Sequence, residues 1–160
     1  MRSRAFVSAY VLALAVQLCL SAHAQQADGR TVFNIQCVAC HQVDGQGVPG
    51  SFPQLAHNHD LFLARDFPAR VVLFGMEGTI VANGQTIQGA MPPLGNMLTD
   101  AEIAAVVNYV RSSFGNDRLR PKDMAPLDAA TVAGLRKLKD ADKTHDYRAS
   151  LKAAKNGGKK

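Results

Sequence analysis

Cysteine is scarce in this chain. There are three, Cys19, Cys37 and Cys40, in 160 residues. Cys19 sits in an N-terminal stretch that reads as removable, which would leave Cys37 and Cys40 and no disulfide framework to staple a fold. A long apolar run is also missing. The stretch 7–20 is interrupted by Ser8 and Gln17 and falls short of the roughly 20 residues that span a bilayer. Arg2 and Arg4 precede it and Ala22-His23-Ala24 follow it, which gives the basic, apolar and small-residue parts of a secretory signal peptide. Residues 1–24 are therefore expected to be a leader cleaved after Ala24, with a retained transmembrane anchor as the alternative. No small residue precedes Cys19, which argues against a lipoprotein site. Basic residues are the third scarcity, but only locally. Residues 25–117 hold four, Arg30, Arg65, Arg70 and Arg111, against eight acidic ones, while 118–160 hold twelve against five. An acidic body thus carries a basic tail.

What the chain does have is Cys37-Val38-Ala39-Cys40-His41. C-x-x-C-H is the attachment pattern of a c-type haem. Two thiols add across two vinyl groups of one porphyrin, and two intervening residues set them about one helical turn apart. The adjacent His41 then supplies an imidazole to the iron as proximal ligand. A redox dithiol would want a strand feeding a helix before Cys37, and none is evident. A zinc site would want a second Cys/His pair at ligand spacing, whereas His57 and His59 are only two apart. The pattern predicts one covalent haem c, with its iron, in a protein matured outside the cytoplasm, in the periplasm. That location makes nucleic acid a poor partner for the basic tail. Steering toward an acidic partner or an anionic surface fits better.

The body, residues 25–117, reads as mostly helical. Asp28 is placed to cap a first helix running into the haem motif, with Val32 and Phe33 on its buried side. A Gly- and Pro-rich loop follows over 42–56. A single turn is expected over 61–63. Pro68 then opens a short apolar helix over 69–74, ended by Gly75. Asn83-Gly84 predicts a type I′ hairpin over 79–88. Thr99-Asp100-Ala101-Glu102 is a capping box. Ile103, Val106, Val107, Val110 and Phe114 repeat on one helical face, with Gly115 expected just past the end.

These pieces together resemble a class I cytochrome c over residues 28–116, which implies an all-α fold around one haem with a small β-hairpin before the distal-ligand loop. Pro53 and Leu55 follow His41 at the places where that family puts a proline carbonyl and a haem-packing leucine. Gly89-Ala90-Met91-Pro92-Pro93 resembles its distal loop, which implies Met91 as the second iron ligand. Gly29 and Phe33 match one crossing helix, and Asn108-Tyr109-Val110-Arg111 the other. The closest likeness is to small cytochromes that serve periplasmic dehydrogenases or reductases. Met97 is the competitor to Met91, and His57 and His59 are the candidates for bis-histidine ligation. The Pro53 carbonyl is the expected acceptor for the second imidazole N–H. Phe52, Leu55, Phe62, Phe67, Val72, Leu73, Leu94, Met97 and Leu98 are the expected apolar wall.

The implied function is one-electron transfer between redox proteins: a periplasmic dehydrogenase, a reductase or a terminal oxidase. A haem subunit locked in such a complex and a haem enzyme with an open distal site are the alternatives. Residues 118–160 could form two helices, one capped by Asp128 and one over 146–155. The tail could be a solvated extension, a docking arm, or an arm wrapping its own acidic body. A chain ending near Asn116 is expected to fold without it, because the tail's apolar residues are too scattered to form a core of their own.

Overall fold

The computed structural model describes residues 27–138 and 143–157. The expected leader and its cleavage site lie outside them. Helices dominate, with one small two-stranded antiparallel sheet among the described residues. No helix among them is long and apolar enough to cross a membrane.

Asp28 starts helix α1 (Gly29–Gln36) by accepting from the backbone N–H of Arg30 at 3.1 Å and of Thr31 at 3.3 Å, groups the first turn cannot satisfy itself. Val32 and Phe33 are its buried face. At Cys37 the helix breaks, and a single further turn, α2 (Val38–His41), follows. A 3-10 turn spans His59–Phe62, and Pro68 sits in the first turn of α3 (Phe67–Phe74).

Helix α4 (Asp100–Ser112) is fixed at its start by the reciprocal bonds of Thr99 and Glu102. It crosses α1 at Gly29, where a Cβ would lie 2.2 Å from the Ala105 carbonyl oxygen. Only a residue without a side chain lets the two backbones approach this closely. The rings of Phe33, Tyr109 and Phe114 pack beside the crossing, with centroids 5.1, 5.6 and 5.7 Å apart. The helix stops at Ser112, so Gly115 is not its C′ residue. The Ser112 hydroxyl donates to the Asn108 and Tyr109 carbonyls, Ser113 is extended, and Gly115 precedes a second 3-10 turn, Asn116–Leu119.

The hairpin pairs β1 (Met76–Ala82) with β2 (Gln85–Met91). Asn83 and Gly84 have φ of 48° and 75°, both positive as a type I′ turn requires. It is longer than the expected 79–88, because pairing continues to Met76 opposite Met91. Ile80, Ala82 and Ile87 form its buried face.

The described tail packs on the body. Helix α5 (Ala129–Leu135) is capped by Asp128, which accepts from Thr131 N–H at 2.7 Å. Leu127 and Val132 are 3% and 0% exposed and join the same core as Phe33 and Ile103. The Asn108 side chain exchanges two bonds with the Leu127 backbone. Arg136 pairs with Asp100 at 2.8 Å, and Arg65 of the body pairs with Asp128 at 2.9 Å. Helix α6 (Thr144–Gly157) lies on the hairpin and α3, where Tyr147 donates to Asp66 at 2.8 Å and stacks on Arg70. Of the three arrangements open to the tail, this is the one that wraps the acidic body. Its apolar residues need no core of their own because they complete the existing one.

A chain ending at Asp117 is accordingly expected to be less stable by roughly 3 kcal/mol or more, the loss of two buried aliphatic side chains. Urea unfolding of the full and shortened chains measures this. Coincident unfolding curves would show that the tail adds nothing.

Candidate functional site

One turn of backbone gathers the haem motif. The Cys37 carbonyl accepts from the N–H of Cys40 at 3.2 Å and of His41 at 2.9 Å. This sets the three side chains at i, i+3 and i+4, on one face of the turn. Cys37, Cys40 and His41 line a large, mainly apolar cavity, and Pro53, Leu55 and Met91 line it too. No disulfide joins the two cysteines. Burial, and secondarily the charge of Cys40, push the Cys37 thiol up to about 11.

His41 is buried, and its Nδ1 lies 2.9 Å from the Pro53 carbonyl oxygen. A carbonyl can only accept, so Nδ1 carries the proton and Nε2 keeps its lone pair. Burial lowers the imidazole's pKa, outweighing the opposite pull of the Pro53 bond. The ring is thereby held in the neutral form that binds a metal.

The loop geometry that aims this carbonyl depends on Gly47. It has φ of 64°, and a Cβ there would lie 2.8 Å from the Pro53 oxygen and 2.4 Å from that of Phe52. Leu55 is fixed from behind. Its carbonyl accepts from Asn116 Nδ2 at 2.9 Å, and Asn116, fully buried, also donates to the Val110 carbonyl and accepts from Asn58 N–H. Asn116 therefore ties the Leu55 loop to the end of α4. A lone asparagine after Gly115 gives no sequence signal of that role.

The cavity wall differs from expectation. Phe52, Leu55, Phe67 and Val72 line it. Phe62, Leu73 and Leu98 are buried in the core behind it, and Leu94 packs there too. The hairpin supplies Met76, Ile80, Ala82 and Ile87 instead, and α4 supplies Val106, Val107 and Val110. The alternation of Ile80, Ala82 and Ile87 about the turn was the available signal for this face. Met97 is 65% exposed and is not in the wall. The second methionine there is Met76. His57 and His59 are exposed and outside the wall.

One charge pair also reaches the cavity. Asp60 and Arg148 both line it, and Arg148 donates to Asp60 and, at 2.7 Å, to the Val81 carbonyl. Lys152 Nζ lies 3.2 Å from the other Asp60 oxygen. The tail thus contributes a buried cation to the site.

The donor set fits a haem c. Two cysteines without a disulfide, a neutral imidazole with Nε2 available, a methionine and mainly apolar walls suit its vinyl groups, iron and ring. Comparisons with known proteins agree. The cytochrome c family model matches residues 26–114. Cytochrome c-552 of Thermus thermophilus is 39% identical over 115 residues, covering 69% of this chain and 86% of that protein. The cytochrome c subunit of the quinone alcohol dehydrogenase of Gluconobacter oxydans is 40% identical over 93 residues, but these make up only 19% of its length. The cbb3-type oxidase subunit FixP of Azorhizobium caulinodans is 33% identical over 111 residues, 37% of its length.

The Asp60–Arg148 pair generates a test. Arg148→Met removes the most buried cation at Asp60, and only Lys152 remains to offset the carboxylate. The expected destabilisation is on the order of 3 kcal/mol, read from denaturant midpoints. Adding Asp60→Asn should recover part of it. Additive effects of the two changes would show that the pair is not coupled.

Proposed function

Since the chain belongs to the cytochrome c family, whose members hold an iron-containing haem c covalently, we propose that it is a class I, single-haem electron carrier of the periplasm with His41 and Met91 as axial ligands. The observation that carries this reading is that His41 and Met91 line the same cavity as both cysteines of the attachment motif.

Each residue then has a task. Cys37 and Cys40 would form the two thioether links. His41 would offer Nε2 to the iron, and the Pro53 carbonyl, by drawing on the Nδ1 proton, fixes the ring and makes it a stronger donor. Leu55 would pack against the ring system. Met91 would give a soft ligand, which favours the reduced state. When bound, the haem supplies a one-electron ferric/ferrous couple, and no substrate bond is made or broken. The apolar wall excludes water and disfavours the more highly charged oxidised state, which again raises the potential.

Two of the relatives are named as subunits of a dehydrogenase and an oxidase, so the proposed partners are redox proteins of those kinds. The alternative is a haem subunit held within such a complex. A haem enzyme with an open distal site is less well supported, because Met91 lies in the cavity wall. Arg118, Lys122, Lys137 and Lys155 of the tail are exposed and suit an acidic partner or an anionic surface. Their effect on its association rate should fall as salt rises, with screening over about 10 Å at 0.1 M.

Two measurements test the reading. Replacing Cys37 and Cys40 together by Ala is expected to abolish haem staining after denaturing electrophoresis, while each single variant keeps at most one thioether link. Haem retained by the double variant would sink the covalent assignment. In the oxidised holoprotein, Met97→Ala should keep the far-red thioether–iron charge-transfer band. Met91→His should lose it and lower the midpoint potential by on the order of 0.1 V or more, an axial-ligand effect. The reverse pattern would move the ligand to Met97.

A further inference from the structure

The proposed site holds a feature that a single distal ligand does not explain. Met76 and Met91 are direct partners in the hairpin ladder. Opposed residues of an antiparallel pair face the same side, with Cα atoms about 4.5–5.5 Å apart. Both residues line the cavity, and Met76 packs against Ile80, Ala82 and Ile87 on the buried face of the hairpin. We propose that the distal side of this cytochrome carries two thioethers, and that Met76 is a standby ligand able to take the sixth iron position when Met91 does not hold it. This rests on the reading that Met91 is the resident ligand.

The chemistry of the two groups is the same. Each offers a sulfur lone pair on an unbranched chain with three rotatable bonds, the most adaptable of the apolar side chains. An offset of one strand spacing lies within the reach of such a chain. In the exchange one sulfur–iron bond breaks and another forms, and no proton or electron is transferred.

The backbone makes the arrangement independent of the Met91 side chain. Strand pairing uses only main-chain groups, so loss of that thioether leaves Met76 in register. Gly75, just before Met76, has φ of 74°, and a Cβ there would lie 2.5 Å from the Met91 carbonyl oxygen. Leu94 N–H donates to the Val72 carbonyl at 2.8 Å, and Gly95 N–H to that of Leu73 at 3.2 Å. The end of α3, the start of β1 and the segment after Met91 therefore hold together as one unit. Met97 and Met124 have no such placement, since neither lines the cavity. A standby thioether would keep the iron six-coordinate with a soft ligand, and so keep an electron carrier from becoming an open haem site.

The test uses purified full-length holoprotein and three variants: Met76→Leu, Met91→Leu, and both together. Leucine matches methionine in bulk and lacks the sulfur. Oxidised protein is read by its far-red thioether–iron band, and reduced protein by the strongly upfield-shifted methyl resonance of an iron-bound methionine. Met76→Leu should leave both signals in place. Met91→Leu should keep a shifted band and show a bound methyl that disappears in the double variant. If Met91→Leu loses both signals while Met76→Leu retains them, the standby role is overturned and Met91 stands as the ligand. Loss of both signals in Met76→Leu alone would overturn the assignment of Met91 itself. Should Met91→Leu fail to mature with haem, Met91→Ala is read by the same two signals with the same outcomes.

Discussion

The close crossing of α1 and α4 is the constraint on which the site depends. Gly29 lets the helices meet almost backbone to backbone at Ala105, and the rings of Phe33, Tyr109 and Phe114 fill the angle beside the contact. The Cys37–His41 turn hangs from the end of one helix, and Val106, Val107 and Val110 project from the other. Their separation fixes the depth of the cavity between them. A wider crossing would carry the thiols and imidazole away from the apolar face opposite. The tight packing of protein interiors means that such a shift cannot be absorbed locally.

Around this frame, buried polar groups are satisfied mainly by backbone carbonyls rather than by opposite charges. His41 gives its Nδ1 proton to Pro53, and Asn116 gives its amide to Leu55 and Val110. Arg111, 4% exposed, donates to the carbonyls of Leu61, Ala64 and Arg65. Burial pushes its pKa down to about 10, still high enough to keep the charge at neutral pH. Carbonyl acceptors meet the directional demand of these groups without burying a full negative charge beside them. The exception is Asp60, and there the tail supplies Arg148 and Lys152. Part of the charge asymmetry between body and tail is thus used inside the molecule.

The parts of the fold legible in the sequence are those specified by neighbouring residues. Asp28, the Thr99–Glu102 box and Asn83-Gly84 act over one turn each, and each element begins or turns where they place it; the helix at Pro68 begins slightly earlier than expected, at Phe67. The attachment motif is equally local, since one helical turn defines it. Pro53, Leu55 and Met91 could be named only through resemblance, because nothing in their spacing shows that they share a cavity. What stayed hidden depends on contacts distant along the chain. Asn116 reaches back to Asn58 and Leu55, and Arg148 reaches Asp60 across 88 positions. Val132 enters a core built by residues far before it. The scatter of apolar residues in the tail says nothing of this, because Leu127 and Val132 complete a core shared with the body.

The hairpin shows how little sequence such a site needs. Its turn is set by two residues and its register by the alternation that buries Ile80, Ala82 and Ile87. Because side chains alternate with a period of two, a slip of one residue would turn that whole face outward. The register that buries those residues also brings Met91 to the cavity and sets Met76 opposite it. The cavity wall and Met91 are therefore placed by the same pairing. The helical part of the fold fixes His41 through a single turn. Met91 is fixed by backbone ladder bonds together with the ties from Val72 and Leu73 to the segment after it. A residue carried on a paired strand rather than on a free loop cannot drift from the cavity without opening the hairpin, and opening the hairpin would expose its buried face to water.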